Sequence, residues 1–279
     1  MIKNKLIQKL DCINIKTISN EVVFLYHKMN YICSMEQNTN IFGIRAIIEA
    51  IESGASINKV YLQKGLRGDL FFQLDKLLKK NKISTSVVPT EKLDRLSKHN
   101  NHQGAVAKIS PIEFHDLETL LESTLESDKT PLFLLLDQVS DVRNFGAIIR
   151  TAECTGVNGI IIQKSGSAPV NAETIKTSAG AAFKVPICKV DHIKDAIFQL
   201  KAADIKLVAA TEKTEDSVFN VNFNQPIAIV MGSEHKGVST SVLKLVDYKA
   251  KLPLLGEIES LNVSVACGAF LYESVRQRL

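Results

Sequence analysis

The sequence predicts an α/β fold, with a parallel β-sheet domain in its C-terminal half and a smaller α/β domain before it. Two observations predict the sheet. After Pro131, apolar segments alternate with segments of helical periodicity, and Leu132–Leu136 and Ile227–Met231 are continuously apolar. Continuous apolar runs are typical of strands covered by helices on both faces, as in parallel sheets. Residues 131–279 are therefore predicted to form a parallel sheet covered by helices.

Six candidate strands follow from this alternation, because each is a short apolar run bounded by polar or turn-forming residues. They are Leu132–Asp137, Gly159–Gln163, Val185–Val190, Lys206–Thr211, Ile227–Met231 and Tyr248–Leu252. In parallel sheets, ligands bind beyond the carboxyl ends of the strands. Polar loops follow the first, fifth and sixth of these strands, so the three strand ends are predicted to share one site.

Residues 35–110 are predicted to form the smaller α/β domain. Its elements are an amphipathic helix with Ile44, Ile47, Ile48 and Ile51 on one face, a strand at Lys59–Gln63, a helix at Leu70–Lys80, a strand at Ile83–Val88, a short helix at Glu91–Leu96 and a strand at Gly104–Ile109. The region holds twelve Lys or Arg residues and seven acids, a net charge of +5. Such a local excess favours a polyanionic partner, and a solvated helix face without a binding role is the alternative.

Two further segments flank this domain. Residues 1–34 show no steady periodicity, and we expect an N-terminal extension that packs poorly. Residues 111–130 carry one base and six acids and have helical periodicity at three leucines, so they are predicted to be an acidic linker with a short helix.

The composition is that of an ordinary globular protein, with 45% hydrophobic and 23% charged residues among 279. The five cysteines are scattered without a Cys-x-x-Cys pair and the six histidines have no metal-like spacing, so we predict neither a disulfide framework nor a metal site. No run is long and apolar enough to span a bilayer, and the N-terminus lacks the features of a signal peptide. We therefore expect a cytoplasmic protein with no membrane partner.

The first polar loop runs from Asp137 into a helix that contains Asn144, Gly146 and Arg150. Asn144 is a plausible N-cap, Gly146 permits close backbone approach, and Arg150 follows Asn144 by about two helical turns, so both side chains are predicted to face one side. The alternative is an N-cap and a surface salt bridge with no binding role.

The second polar loop places Gly232 directly after a buried strand, where a bare backbone can touch a ligand. Glu234 can accept hydrogen bonds from another loop or from a ligand, and a solvated loop acid is the alternative. The loop is not a phosphate-binding Walker loop, and the sequence has no Gly-x-Gly-x-x-Gly dinucleotide fingerprint.

The third polar loop begins at Leu252 and leads into an apolar C-terminal helix. Ser260 is predicted to be the N-cap of this helix, and Asn262 is predicted to lie in its first turn, where free backbone N–H groups also point. Together they predict a polar pocket with an apolar floor. Plain helix capping is the alternative.

Taken together, the three loops resemble the signature motifs of the SpoU/TrmH family of S-adenosylmethionine-dependent RNA ribose 2'-O-methyltransferases. The matching segments are Asn-x-Gly-Ala-x-x-Arg-Thr-Ala from Asn144, Gly-x-Glu-x-x-Gly from Gly232, and Leu-Pro from Leu252 with Ser-Leu-Asn-Val-Ser-Val-Ala from Ser260. The segments that begin at Ile41, His102 and Ser167 are similar to the RlmB branch, which modifies a guanosine of large-subunit (23S) ribosomal RNA.

The resemblance implies a fold and a set of partners. It implies a deep trefoil knot in the C-terminal domain, S-adenosyl-L-methionine as cofactor, no metal, a homodimer, and an N-terminal ribosomal-protein-like domain that binds RNA rather than DNA. It also assigns residues. Arg150 becomes the catalytic residue within a polar network of Asn144, Glu234, Ser260 and Asn262, and Gly232, Leu252 and Leu261 contact the cofactor.

Alternatives remain open at this point. The RNA substrate could be tRNA instead of ribosomal RNA, the protein could bind ribosomal RNA without catalysis, or it could be another α/β enzyme with a nucleotide cofactor. One position departs from the branch: His235 stands where glycine is common, and its bulk could reshape the substrate side of the pocket.

Overall fold

In a computed structural model, the protein is described for residues 40–258 and 260–279. The predicted N-terminal extension, residues 1–34, lies outside the described residues.

The N-terminal domain is a four-stranded sheet with the strand order β1-β4-β2-β3. The elements in chain order are β1 (Asn40–Phe42), α1 (Ile44–Glu52), β2 (Ile57–Gln63), α2 (Asp69–Lys80), β3 (Thr85–Val88), α3 (Thr90–Leu96) and β4 (Ala105–Ile109). β2 runs parallel to β3 and antiparallel to β4, and β4 pairs antiparallel with β1. All the predicted elements are present within a few residues, and β1 is an additional strand.

The two faces of this sheet are covered differently. Helices α1 and α2 cover one face, where Ile47 and Leu74 pack with Val60 of β2. The short helix α3 covers part of the other face through Leu93, which packs with Val106 of β4. The second face therefore keeps more of its polar side chains in contact with solvent.

The acidic segment 111–130 contains the predicted short helix, α4 (Leu117–Leu125). Its buried side chains Leu117 and Leu121 belong to the same apolar core as Phe133 and Leu200 of the following domain. The segment is therefore an integral part of the C-terminal domain as well as a connection, because its leucines are buried there.

The C-terminal domain contains a six-stranded sheet with the order β10-β8-β9-β5-β6-β7, and all its strand pairs are parallel as predicted. The elements are β5 (Leu132–Asp137), α5 (Val142–Cys154), β6 (Gly159–Gln163), α6 (Ala172–Thr177), β7 (Ile187–Val190), α7 (Ile193–Ala202), β8 (Lys206–Ala210), β9 (Ile227–Gly232), α8 (Thr240–Leu243), β10 (Tyr248–Ala250) and α9 (Val263–Arg278). Every residue of β5 and β9 is buried, which explains their continuous apolar sequence. The trefoil knot stays a prediction from the resemblance.

The C-terminal helix α9 is anchored at its end by Arg278. This guanidinium donates hydrogen bonds of 2.8 to 3.1 Å to the backbone carbonyls of Thr130, Pro131, Phe223 and Gln225. These carbonyls lie just before β5 and β9, so the anchor holds the end of α9 beside the starts of the two central strands.

None of the helices in the described ranges has the length and apolar character that crossing a membrane requires.

Candidate active site

The central strands β5 and β9 end side by side. Asp137, the last residue of β5, is the register partner of Gly232, the last residue of β9. The Asp137 carboxylate is 2% exposed, and it accepts a hydrogen bond of 2.8 Å from the backbone N–H of Ser239. A buried acid thus links the end of β5 to the loop that follows β9.

Asn144 lies in the first turn of α5 and is not its N-cap, so that prediction is wrong. The N-cap is Asp141, whose carboxylate accepts hydrogen bonds from the backbone N–H groups of Arg143 (2.9 Å) and Asn144 (2.8 Å). The sequence signal for this cap was present, since aspartate is as good an N-cap as asparagine. Because Asp141 caps the helix, the Asn144 side chain is free for other contacts.

Gly146 allows α5 to approach α6 closely. A Cβ atom at Gly146 would overlap the side chain of Thr177. The predicted close backbone approach is therefore an approach of two helices, and it fixes the position of α5.

The loop after β9 is a tight turn, and it requires glycine at its first position. Ser233 and Gly237 exchange backbone hydrogen bonds of 3.2 and 2.9 Å. A Cβ atom at Gly232 would overlap backbone atoms of Gly237 and Val238. Glycine is thus required at position 232 by the loop's own geometry, which presents Glu234 at the tip.

Asn262 is the N-cap of α9, and the predicted cap Ser260 lies two residues earlier in the loop. The Asn262 Oδ1 atom accepts hydrogen bonds from the backbone N–H of Ser264 (2.9 Å) and from its hydroxyl (2.6 Å). The helix begins at Val263, which is buried, and the cap is the residue before it. The role of Ser264 was missed, although it lies in a motif that the sequence singled out.

Side chains from all three loops form one chain of hydrogen bonds. Asn144 Nδ2 donates to Glu234 Oε1 at 2.9 Å. Asn262 Nδ2 donates to Asn144 Oδ1 at 3.0 Å. The predicted convergence of three strand ends is thus seen in direct contacts between residues 90 and 118 positions apart.

Hydrogen-bonding chemistry fixes the direction of this chain. An ionised carboxylate only accepts, so Glu234 requires the amide nitrogen of Asn144. The amide oxygen of Asn144 then accepts from Asn262, and the oxygen of Asn262 caps α9. Each of the two side-chain amides therefore has only one orientation in which its hydrogen bonds are made. The Glu234 carboxylate sets this orientation at one end of the chain, and the N-terminus of α9 sets it at the other.

A cleft with a volume of about 370 Å³ lies beside this network. Five of the eight predicted site residues line it: Gly232, Glu234, Leu252, Ser260 and Leu261. His235, Met231 and Val263 are also in its walls. The volume is within the range of small-molecule sites, and the mixture of apolar walls and a few polar groups is typical of them.

Arg150 is the predicted residue that the described contacts do not bring into the network. It is exposed on α5, and its side chain forms no hydrogen bond or ion pair with the part of the chain that the structure describes. At about 100° per residue, six residues separate it from Asn144 by roughly 120° around an ideal helix, which does not favour the predicted common face. An exposed guanidinium with no side-chain partner among residues 40–258 and 260–279 is available to an external anion.

The charges around the cleft are mixed. Lys213, Lys236 and Lys251 line it together with Glu212 and Glu234. Lys251 also pairs with Glu215 at 2.8 Å and lowers the pKa of that carboxyl group. Among residues 40–258 and 260–279, the His, Cys, Asp and Glu side chains form no group that could hold a metal ion.

Comparison with known proteins relates both domains to RNA methyltransferases. Residues 131–272 match the model of the SpoU rRNA Methylase family, and residues 40–115 match the model of the RNA 2'-O ribose methyltransferase substrate binding domain. A protein of Bacillus subtilis, named a TrmH family tRNA/rRNA methyltransferase, is 32% identical over 87% of this chain and 97% of its own. A Staphylococcus aureus protein of the same description is 37% identical over the same shares.

Solved structures agree with these relatives. The SpoU methyltransferase AviRb from Streptomyces viridochromogenes, solved in complex with AdoMet, matches with a TM-score of 0.55 and 26% identity over 86% of this chain and 90% of that one. An AdoMet-bound rRNA methyltransferase from Sinorhizobium meliloti has the same fold, with a TM-score of 0.56 at 21% identity over 95% of this chain and 98% of that one. On the family match and the extent of these identities, the chain belongs to the SpoU/TrmH family of RNA methyltransferases.

Proposed function

We propose that this protein transfers a methyl group from S-adenosylmethionine to a ribose 2'-hydroxyl of RNA. The observation that carries the proposal is the hydrogen-bonded chain Glu234–Asn144–Asn262 at the edge of a small-molecule cleft. The chain joins three loops that are far apart in sequence, and all its members belong to the family motifs.

The cleft fits the cofactor that the family uses. Leu252 and Leu261 supply apolar surface for an adenine ring, and the wall at Gly232 is backbone, which can hydrogen-bond the ring's edge. The cleft carries charges of both signs, Glu212 and Glu234 with three lysines, and the cofactor likewise has a carboxylate beside its cationic sulfonium and amino groups. When bound, the cofactor supplies the electrophilic methyl group, so the reaction has no need of a metal ion.

The protein's own residues must position the ribose 2'-hydroxyl, which loses its proton as it attacks the methyl group. A guanidinium pKa above about 12 makes a neutral arginine costly, so Arg150 is assigned to holding the target phosphate and ribose. As a second role of Arg150, the phosphate that it holds assists removal of the proton from the 2'-hydroxyl. The network of Glu234, Asn144 and Asn262 keeps the loops that carry the cleft in register with α5, and Ser260 faces the cleft as a further polar contact.

For the substrate we propose a guanosine of large-subunit ribosomal RNA, on the three segments similar to the RlmB branch. The relatives are named tRNA/rRNA methyltransferases, so tRNA is the second candidate. Residues 35–110 are assigned to RNA binding and residues 131–279 to methyl transfer.

We also propose a homodimer. Val265 and Tyr272 are each 56% exposed and lie seven residues apart, or about two turns, on one side of α9, so they form an apolar stripe that a second copy can cover. Val265→Asp would place a charge in that interface. Light scattering should then show a shift from dimer to monomer, and a wild-type protein that is monomeric at all concentrations contradicts the dimer.

The test of the activity uses labelled S-adenosylmethionine with undermodified ribosomal RNA and with tRNA as separate substrates. Label on ribose supports the proposal, and the RNA that accepts it identifies the substrate class. Label on a base, or no label with either RNA, contradicts it. Calorimetry with the cofactor separates an enzyme from a binding-only protein, for which no cofactor affinity is expected.

A further inference from the structure

Three lysine ammonium groups converge on one tyrosine ring in the N-terminal domain. The Nζ atoms of Lys59, Lys92 and Lys108 lie 5.7, 5.3 and 5.9 Å from the centroid of the Tyr61 ring. Lys59 and Tyr61 belong to β2, Lys108 to β4 and Lys92 to α3. Any two of these ammonium groups are therefore no more than about 12 Å apart, although they come from three elements. We call these four residues the lysine cluster.

The positive charge of the lysine cluster is not balanced within the described part of the chain. Lys59 and Lys108 are direct register partners across the antiparallel pair β2–β4. Like charges in this position destabilise a sheet. None of the three lysines forms an ion pair with a described carboxylate, whereas Lys79 pairs with Asp75. A bound anion would remove the repulsion.

The Tyr61 ring is suited to hold these ammonium groups in place. It packs against Val88, Leu93 and Val106, which are buried, so the ring cannot swing away. A cation over an aromatic face is attracted by the ring's quadrupole. Tyr61 is thus a positioning residue, which fixes lysines that would otherwise spread into solvent.

We propose that the lysine cluster is a contact site for the phosphate backbone of the RNA substrate. A phosphodiester chain carries one negative charge per nucleotide, so one or two successive phosphates can meet the three ammonium groups. The cluster lies on the sheet face opposite α1 and α2, because Tyr61 alternates with the buried Val60 and Leu62 along β2. This assignment rests on the proposed function, and it names the surface of the N-terminal domain that the RNA crosses.

The test measures RNA affinity as a function of salt for two charge-matched variants. The first replaces Lys59, Lys92 and Lys108 by Gln. The second replaces by Gln three exposed lysines of α2, on the opposite face of the sheet: Lys76, Lys79 and Lys80. Each phosphate contact contributes about 0.7 to 0.9 to the slope of log affinity against log salt, so with one or two phosphates lost the first variant should lose about 0.7 to 1.8 from the slope and at least about tenfold in affinity at low salt. The second variant should change much less.

Tyr61 gives an independent readout. Tyr61→Phe keeps the ring and should bind RNA as the wild type does, whereas Tyr61→Leu keeps apolar bulk without the quadrupole and should lose affinity.

Two results overturn the proposal: unchanged affinity and slope in the Lys59/Lys92/Lys108 variant, or equal losses in both triple variants, which would indicate a general charge effect. Failure of the proposed function is a separate outcome. In that case the wild-type protein methylates no RNA, whatever the binding measurements give. If the wild-type protein methylates RNA and the first variant has the same KM for RNA, the proposed function stands and only the assignment of the lysine cluster is contradicted.

Discussion

Asn262 has two roles that one pair of substitutions can separate. Its amide oxygen caps α9, and its amide nitrogen donates to Asn144. Asn262→Ala removes both contacts. Asn262→Asp keeps an oxygen for the cap, because aspartate and asparagine are equally good N-caps, but it has no donor for Asn144.

The expected magnitudes follow from these contacts. Loss of an N-cap costs about 1 kcal/mol, and loss of an exposed hydrogen bond costs about 0.5 kcal/mol. Asn262→Ala should therefore lower the free energy of unfolding by about 1.5 kcal/mol, or the melting temperature by about 3 to 6 °C. Asn262→Asp should cost about 0.5 kcal/mol, because only the exposed bond is lost. It places a carboxylate beside the Asn144 oxygen, however, and a misplacement of about 1 Å in the network can reduce kcat about 100-fold.

The assay combines thermal unfolding, calorimetry with S-adenosylmethionine and initial rates of methyl transfer. Asn262→Asp should melt close to the wild type, bind the cofactor within a few fold and lose about 100-fold in kcat. If Asn262→Asp transfers methyl groups at the wild-type rate, the network does not organise the site, and Asn262 is only a helix cap.

Three other perturbations test separate parts of the account. Arg150→Ala should abolish methyl transfer and leave cofactor affinity within a few fold, and a large loss of cofactor affinity in calorimetry would contradict the role given to Arg150. Gly232→Ala forces a Cβ atom into the backbone of Gly237, so it should lower the free energy of unfolding by about 1 to 3 kcal/mol and weaken cofactor binding. A variant with the melting temperature and cofactor affinity of the wild type would show that the loop does not need glycine. Arg276 lowers the pKa of the buried Glu273 below its usual 4.5, so the ionised carboxylate stabilises the fold above pH 4.5, and this contribution is lost as the pH falls through the lower folded pKa. The difference in free energy of unfolding between the wild type and Glu273→Gln should therefore disappear in acid. A difference that does not depend on pH refutes the pairing.

The parallel sheet could be predicted because its strands are buried on both faces. Segments such as Leu132–Asp137 have no polar residue before their last position, and this pattern needs no knowledge of neighbouring strands. β1 was missed because it has three residues and exists through its pairing with β4, more than 60 residues away. Short edge strands carry no periodicity of their own.

Both N-caps were misplaced for the same physical reason. Each loop offers two good capping residues, and the local sequence does not decide between them. Asp141 was overlooked in favour of Asn144, and Ser260 was preferred to Asn262. Long-range contacts select the capping residue, since the Asn262 side chain also forms a hydrogen bond with Asn144.

The network itself and the lysine cluster needed the structure. The sequence suggested that Glu234 could bond to another loop, but it could not name Asn144 as the partner, because the two are 90 positions apart. Likewise, no local pattern places Lys59 opposite Lys108, since that depends on the register of β2 against β4.

The position of the transferred methyl group tests the central claim most directly. A 2'-O-methyl group removes the hydroxyl that alkaline hydrolysis of RNA requires, so ribose-methylated RNA leaves an alkali-stable dinucleotide. After incubation with labelled S-adenosylmethionine and undermodified ribosomal RNA, we expect the label in such a dinucleotide with the wild-type protein and none with Arg150→Ala. Label recovered in mononucleotides would place the methyl group on a base and contradict the account.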